Sequence, residues 1–537
     1  MHISVFLCFV VVISTVENAK ILGVFPYISY SNYLLGDTIF KELLKKGHEI
    51  TVITPFKEKN PMKNYSQISV ESLLEKGQGI KTNIDMTLSN FLFAELRSAF
   101  LNHLQTNIFQ QVHWLDTLSI NFTKWTLSHP NVKNFLQQDH HFDLVIYQQI
   151  NSDAYIGFCH HFRAPCVAIS SVTAPNFVNN KIGNTGSPSY VSQLLVNYPA
   201  KMNFFQRFYN TFVYILFELS YYFYLYPNQN KLLQKYFPKS PSLDDIWFNT
   251  SLILINSHVS VNDVAPSLPN LIHIAGAHIQ ESETLPPHLK IILDNAPEGV
   301  VFFSLGTNII SKDISDEKRN SLLNVFSRLK QKVLWKWENI TLPNKTSNIE
   351  IASWFPQQAI LSHPNVKLFI SHGGMMSTIE AVYFGVPVLG VPLIGDQGLN
   401  MVRAELAGYA KTIFFEDINE EVLEPTLNEM LTNPRYKENA IRQSIIMKDQ
   451  MIKPLDNAIF WIEYVIRHRG APHLKSAALN LTFHQYHLLD VILVIILLFL
   501  TFLFIVKVTI RVILNYYFGK EVADKMKKNR STFKKYE

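Results

Sequence analysis

Cysteine is scarce in this chain, with three in 537 residues. That excludes a small secreted scaffold stapled by disulfides. Cys8 falls in an apolar N-terminal run, which leaves Cys159 and Cys166, seven apart. A chain of this size needs no staple, so two buried thiols are expected in preference to a bridge. Charge is also sparse, at 17% of residues against 47% hydrophobic, the composition of a globular and somewhat apolar chain. The net charge of +5 is local: from Lys507 onward nine basic side chains meet three acidic ones. No nucleic-acid surface and no metal site are expected. Histidine is missing between Pro26 and Thr38.

The length suits two or three domains. Ile3–Ile13 is a short apolar run that ends near small and polar residues around Ala19, as in a signal peptide. Ile21–Phe25, a helix near Tyr33–Lys46 stopped by Gly47, and Glu49–Thr54 make a β–α–β start to an open, mostly parallel sheet. A second strand edge is Asp143–Tyr147, and between the two lie helices, Leu88–Leu104 among them. Phe204–Tyr226 is unusually aromatic: an acceptor pocket wall, a membrane-surface helix and plain core all remain open for it. Further strands are read at Leu252–Asn256 and Ile272–Ala275. Gln280–Pro297 reads as an interdomain linker, and a second β–α series starts at Val300.

The densest stretch is Trp354–Gln397, WFPQQAILSHPNVKLFISHGGMMSTIEAVYFGVPVLGVPLIGDQ. Val366–Ile370 reads as a buried strand, Ser371–Gly374 as a turn, Ser377–Phe384 as a helix and Val388–Leu393 as the next strand. A glycine pair at such a turn lets backbone approach a ligand, and the helix start favours an anion such as phosphate. His372 adds a donor and Ser377 a hydroxyl, while Glu380, three residues on, suits ribose hydroxyls. Taken singly, an HGG turn is only a tight turn, and Ser–x–x–Glu is usually a capping box. The ordered set at these intervals is what carries the reading.

This set resembles the nucleotide-sugar signature of the UDP-glycosyltransferase family, which includes UDP-glucuronosyltransferases and insect UDP-glucosyltransferases. The resemblance spans nearly the whole chain. It implies two Rossmann-like α/β domains facing across a cleft (the GT-B arrangement) and one C-terminal transmembrane helix. It also implies that Trp354 stacks on uracil, Gln357 contacts the uridine, His372, Gly374 and Ser377 hold the diphosphate, Glu380 binds ribose, and Asp396 and Gln397 bind the hexose. Ser304, Gly306 and Thr307, after the Val300 strand, supply a second backbone contact to diphosphate. Met376 stands where many relatives carry Asn. The expected donor is a UDP-sugar, with UDP-glucose favoured, and the expected acceptor is small and lipophilic.

The implied mechanism is inverting displacement at the anomeric carbon, with a histidine base held by a carboxylate. Those two positions fall on Asn32 and Gln148, neither of which accepts a proton usefully near neutral pH. Asp153 lies five residues beyond the acid position. An alternative is therefore a binding protein for UDP-sugar or an apolar ligand, or a partner subunit, with homo- or hetero-oligomers open. Near the end, Val491–Val506 is sixteen uncharged residues. With its flanks it is long enough for a bilayer core of ~30 Å. The basic tail beyond it is expected in the cytosol. Lys534 and Lys535 resemble a dilysine retrieval signal of the endoplasmic reticulum, and sequons at Asn64, Asn121, Asn249, Asn339, Asn344 and Asn480 fall on the expected lumenal side. The expected division is a leader over 1–19, an acceptor domain over 20–265 and a UDP-sugar domain over 266–450. Terminal helices over 451–487 fold back to the first domain, and a membrane helix over 488–510 precedes a tail over 511–537.

Overall fold

The structure is a computed structural model that describes residues 18–73, 107–184, 186–246, 249–281, 284–307, 311, 314–339 and 341–533. The apolar run Ile3–Ile13, the helix expected over Leu88–Leu104 and the pair Lys534–Lys535 lie outside the described residues.

The first lobe is built on strands β1 (Lys20–Val24), β2 (Glu49–Thr54), β3 (Tyr65–Ser69), β4 (Leu144–Gln148), β5 (Cys166–Ser170), β6 (Thr250–Ile255) and β7 (Leu271–His273). They pair in the order β3-β2-β1-β4-β5-β6-β7, parallel throughout. Apolar residues in this sheet alternate between two buried faces, as a sheet covered on both sides requires. Ile21 enters one core with Ile50 and Val52, while Leu22 and Val24 enter the other with Ile53 and Val145. Helix α1 (Tyr30–Lys45) follows β1, and α2 (Ile108–Ser128) starts in a capping box between Asn107 and Gln110. A short helix α3 (Ile156–Phe162) leads back into β5. Helix α4 (Phe204–Ser220) runs into a π-helical turn over Tyr221–Leu225. It leaves Phe204, Phe205, Phe208 and Phe223 mostly exposed, so this aromatic segment is not plain core.

The second lobe begins with α5 (Pro287–Asp294), whose Leu289 and Leu293 enter that lobe's core. This corrects the linker read over Gln280–Pro297: its apolar residues have partners, so much of it belongs to the lobe. Strands β8 (Val300–Ser304), β9 (Lys332–Lys336), β10 (Ile349–Ala352), β11 (Val366–Ser371), β12 (Val388–Gly390) and β13 (Ala410–Thr412) pair in the order β10-β9-β8-β11-β12-β13, again all parallel. Val300 and Phe302 face one core, Val301 and Phe303 the other. Helices α6 (Gln357–Leu361), α7 (Met375–Tyr383), α8 (Gln397–Leu406) and α9 (Pro434–Lys448) belong to this lobe. Strand β12 stops at Gly390 rather than Leu393, because Pro392 has no N–H to extend the ladder.

One boundary moves. A domain break at 265/266 would cut off β7, which pairs with β6 and so belongs to the first sheet. Helix α10 (Pro454–Arg467) buries Ala458, Ile459, Ile462 and Val465 in the core shared with β1 and β2. Cys159 and Cys166 are a disulfide, not two thiols. The expectation rested on need, whereas geometry decided it. Arg163 takes a left-handed conformation (φ 52°) after α3, and the reversal brings the two Cα atoms to 5.9 Å.

Residues Ala477–Glu537 form a separate compact unit. It is dominated by α11 (Leu489–Phe533), whose segment Leu489–Arg530 is long and apolar enough to cross a membrane. The helix does not end near 510 but continues to Phe533.

Candidate functional site

In each sheet the chain order reverses between two neighbouring strands, β1 and β4 in the first and β8 and β11 in the second. Ligands of such folds bind beyond the strand carboxyl ends at this reversal. Here residues from beyond both reversals line a single cleft of about 650 Å³.

The second lobe contributes most of the polar groups. β8 ends at Ser304, whose Oγ accepts from the Gly306 N–H at 3.3 Å. β11 ends at Ser371, and His372 follows, its ring between Gly306 and Gly374. A Cβ on Gly306 would stand 2.6 Å from that ring, and one on Gly374 would overlap it. The glycines therefore admit the imidazole as well as exposing backbone. Burial, then the nearby Lys336 charge, pushes His372 down to about 4. It is a neutral imidazole at pH 7, and its Nδ1 is unpartnered. Lys336, at the carboxyl end of β9, brings a cation to the cleft and binds Glu338 at 2.9 Å.

Glu380, on α7, is held by two glutamine amides, with a buried histidine close by. Gln357 donates to its Oε2 at 2.6 Å and to the Ser377 hydroxyl at 3.0 Å. Gln358 donates to its Oε1 at 3.0 Å. The buried His278 places Nε2 3.2 Å from that same oxygen. Gln358 also bonds the His278 carbonyl and accepts from the Gln280 N–H. The segment that joins the lobes is thereby tied to this carboxylate. Fixed this way, Glu380 is an acceptor preorganised for a pair of hydroxyl donors.

Asp396 and Gln397 meet the cleft at the start of α8. Burial raises the Asp396 carboxyl, and Asn400 donates to it at 2.7 Å. The Gln397 Oε1 accepts from the Leu393 and Ile394 N–H groups, which leaves its amide N–H₂ as the free donor. Thr307 is exposed at the rim. Trp354, 56% exposed, meets the Tyr30 ring edge-on at 5.7 Å across the cleft. Met376 also lines the cleft, but it is buried in the first lobe's core, with Asn256 donating to its sulfur at 3.1 Å. It joins the lobes, as does the Arg403–Asp263 ion pair at 2.7 Å.

The first lobe supplies Asn32 but not Gln148. Gln148 is buried, does not line the cleft and has an unpartnered Nε2; its neighbour Gln149 lines the cleft instead. The position read for the acid thus lies behind the cleft wall, because consecutive strand residues face opposite ways. Among the described residues no hydrogen bond joins Asn32 to Gln148. Asp153 does not line the cleft either; it pairs with the buried Lys181 and accepts from Tyr221 at 3.3 Å. None of Phe204–Tyr226 lines the cleft, so the pocket-wall reading of that segment fails.

Ser304, Gly306, Thr307, Trp354, Gln357, His372, Gly374, Ser377, Glu380, Asp396 and Gln397 thus share one cleft with Asn32. The sequence reading missed Lys336, Gln358, His278 and Gln149. Lys336 carried a usable signal, since it sits at a strand's carboxyl end. His278 carried none, being distant in sequence from the carboxylate it touches.

The family model for UDP-glucoronosyl and UDP-glucosyl transferases matches residues 19–527. UDP-glucosyltransferase 2 of Dactylopius coccus is 35% identical over 97% of this chain and 98% of its own length. UDP-glucuronosyltransferase 2B33 of Macaca mulatta is 30% identical over 86% of this chain and 87% of its own. Among solved structures, the calicheamicin glycosyltransferase CalG4 superposes with a TM-score of 0.52 at 16% identity, covering 84% of this chain and 99% of that one. A UDP-glucosyltransferase from Polygonum tinctorium gives 0.53 at 14% identity, covering 84% and 99%. These two likenesses concern the fold, which is GT-B. The chain belongs to the UDP-glucuronosyl and UDP-glucosyl transferase family of glycosyltransferase enzymes.

Proposed function

We propose that the protein transfers a hexose, glucose in preference to glucuronic acid, from its UDP-sugar to small lipophilic acceptors. In this reading it is anchored by α11 in the endoplasmic reticulum membrane with the cleft in the lumen. The observation that carries it is the Glu380 cage beside the His372 turn. A carboxylate fixed for two hydroxyls stands about a turn and a half from a helix start suited to diphosphate. Trp354 offers its face to the base, and Asp396 with Gln397 offers an acceptor and a donor to the sugar. As the anomeric C–O bond breaks, charge gathers on the diphosphate. His372, Lys336 and the start of α7 are placed to stabilise it without reorganising. The preference for glucose rests on the resemblance to insect relatives. It also rests on the absence of any cation assigned to a hexose carboxylate among the described residues.

Asn32 favours a second reading, a protein that binds UDP-sugar or an apolar ligand without turnover. One experiment separates the two. Full-length protein in membranes is given UDP-glucose or UDP-glucuronic acid with a panel of phenols, amines and acids. Turnover with UDP-glucose that is lost in His372→Ala supports transfer. UDP binding with no turnover on any acceptor supports the second reading.

A further inference from the structure

The acceptor end of the cleft differs chemically from the rest of it. Its walls are Trp114, Leu115, Leu118, Ile150, Leu194 and Leu195, and its polar groups include Asn32 and Gln149. The Gln149 amide has only one orientation. Its Oε1 accepts from the Lys181 ammonium at 2.9 Å, so its Nε2 carries hydrogens pointing elsewhere. That Nε2 is buried and has no partner. Lys181 is itself fully buried and neutralised by Asp153. The pair holds Gln149 in place without offering the cleft a net charge. The Asn32 side chain makes no hydrogen bond among the described residues.

No proton acceptor stands at this end among the described residues. Burial pushes the Tyr27 phenol up to about 12, so it stays protonated. Asp37 borders the cleft, but Tyr33 donates to one of its oxygens at 3.1 Å and Lys41 to the other at 2.7 Å. His278, His372, Glu380 and Asp396 serve the donor end described above. Among the described residues the acceptor end is thus rich in N–H groups and without a base. A buried N–H group left unpaired is unfavourable, and a ligand bearing lone pairs relieves it.

We propose that this end of the cleft selects acceptors whose oxygen is already ionised, carboxylates foremost and acidic phenolates next, over neutral alcohols. This rests on the transfer reading above and deepens it. A carboxylate suits the site in two ways. One oxygen accepts from the amide groups while the other attacks the anomeric carbon. The new C–O bond forms as the bond to the β-phosphate oxygen breaks, and the electron pair leaves with UDP. Negative charge passes from the carboxylate to the diphosphate, and no proton has to be removed. A neutral alcohol must lose a proton with nothing there to take it. An amine needs no base to attack, but its lone pair is consumed by the attack and cannot also satisfy the amides.

The test uses the full-length protein in membranes with UDP-glucose. Matched acceptors are 4-phenylbenzoate and 4-phenylbenzyl alcohol, together with 4-nitrophenol and 4-methylphenol over a range of pH. Benzoate transfer should exceed benzyl alcohol transfer by roughly 10²-fold or more, the usual worth of a missing base. For each phenol, kcat/KM should rise with pH up to that phenol's own pKa. Equilibrium binding in the presence of UDP is measured in parallel, and the benzoate should bind about tenfold more tightly than the alcohol. In Gln149→Glu that preference should vanish, with UDP affinity reporting that the donor end remains folded. Equal transfer to the alcohol, or a pH break common to both phenols, overturns the inference and leaves glycosyl transfer standing. If nothing is transferred although UDP binds, the transfer reading fails. The binding arm then decides alone: benzoate preference supports the subsite, and equal binding overturns it.

Discussion

The two strand-order reversals that face each other across the cleft are built alike and equipped differently. At the second, between β8 and β11, every element of a charge-handling site is present and braced: a caged carboxylate, a neutral imidazole set between glycines, and a lysine at a strand end. At the first, between β1 and β4, the corresponding positions carry amides, and two of their nitrogen atoms lack partners. The fold makes both places into binding sites. What is done there depends on the side chains alone, so intact machinery at one reversal says nothing about proton transfer at the other.

The contrast can be broken or sharpened by substitution. His372→Ala should have the largest effect, lowering transfer from UDP-glucose by roughly 10²–10³-fold, the usual cost of one donor aimed at developing charge. Steady-state turnover measures it, and unchanged turnover would show that the donor half does not work as described. Glu380→Gln should raise the KM for UDP-glucose about tenfold or more, because charge-assisted bonds to the ribose are lost. The acceptor KM should stay put, and a shift there would blur the division between the halves. Gln358→Leu should raise the donor KM only a few-fold, since Gln357 still holds the carboxylate.

The smallest expected effect is on pH and stability. The folded-state pKa of His372 lies below the ordinary value, at about 4. The unfolded chain therefore binds the proton more readily, and protonation favours unfolding. Stability from this group is complete above about 6.5 and is lost as pH falls from there to about 4. His258 and His273, both lowered by burial, act in the same direction. Burial pushes Asp116 up to about 6, which acts oppositely, so the discriminating reading is a comparison: the change in Tm from pH 7 to pH 5, measured in detergent, should be less destabilising in His372→Ala than in the parent. UDP should shrink the difference, because the diphosphate's charge favours the imidazolium.

The donor half was legible because its parts sit on one contiguous strand–turn–helix. Gly374, Ser377 and Glu380 have fixed relations within local structure, so spacing alone orders them. The cage around Glu380 was not legible, because His278 reaches it from the other end of a connection between lobes. Nor was the choice between Gln148 and Gln149, which turns on which face of β4 each side chain takes. The disulfide was missed for a similar reason: the left-handed residue that brings its halves together is an arginine, not a glycine. The aromatic run Phe204–Tyr226 showed its composition but not its exposure, which only packing decides.

The central claim is that, among the described residues, the acceptor half holds no base while the donor half holds a braced carboxylate, an imidazole and a lysine. The most direct test is turnover of a neutral alcohol with UDP-glucose by the parent chain and by Asn32→His, which puts a base on the cleft wall. The variant should gain roughly 10²-fold on the alcohol, with the KM for UDP-glucose unchanged. A parent already as fast on the alcohol as the variant would contradict the claim.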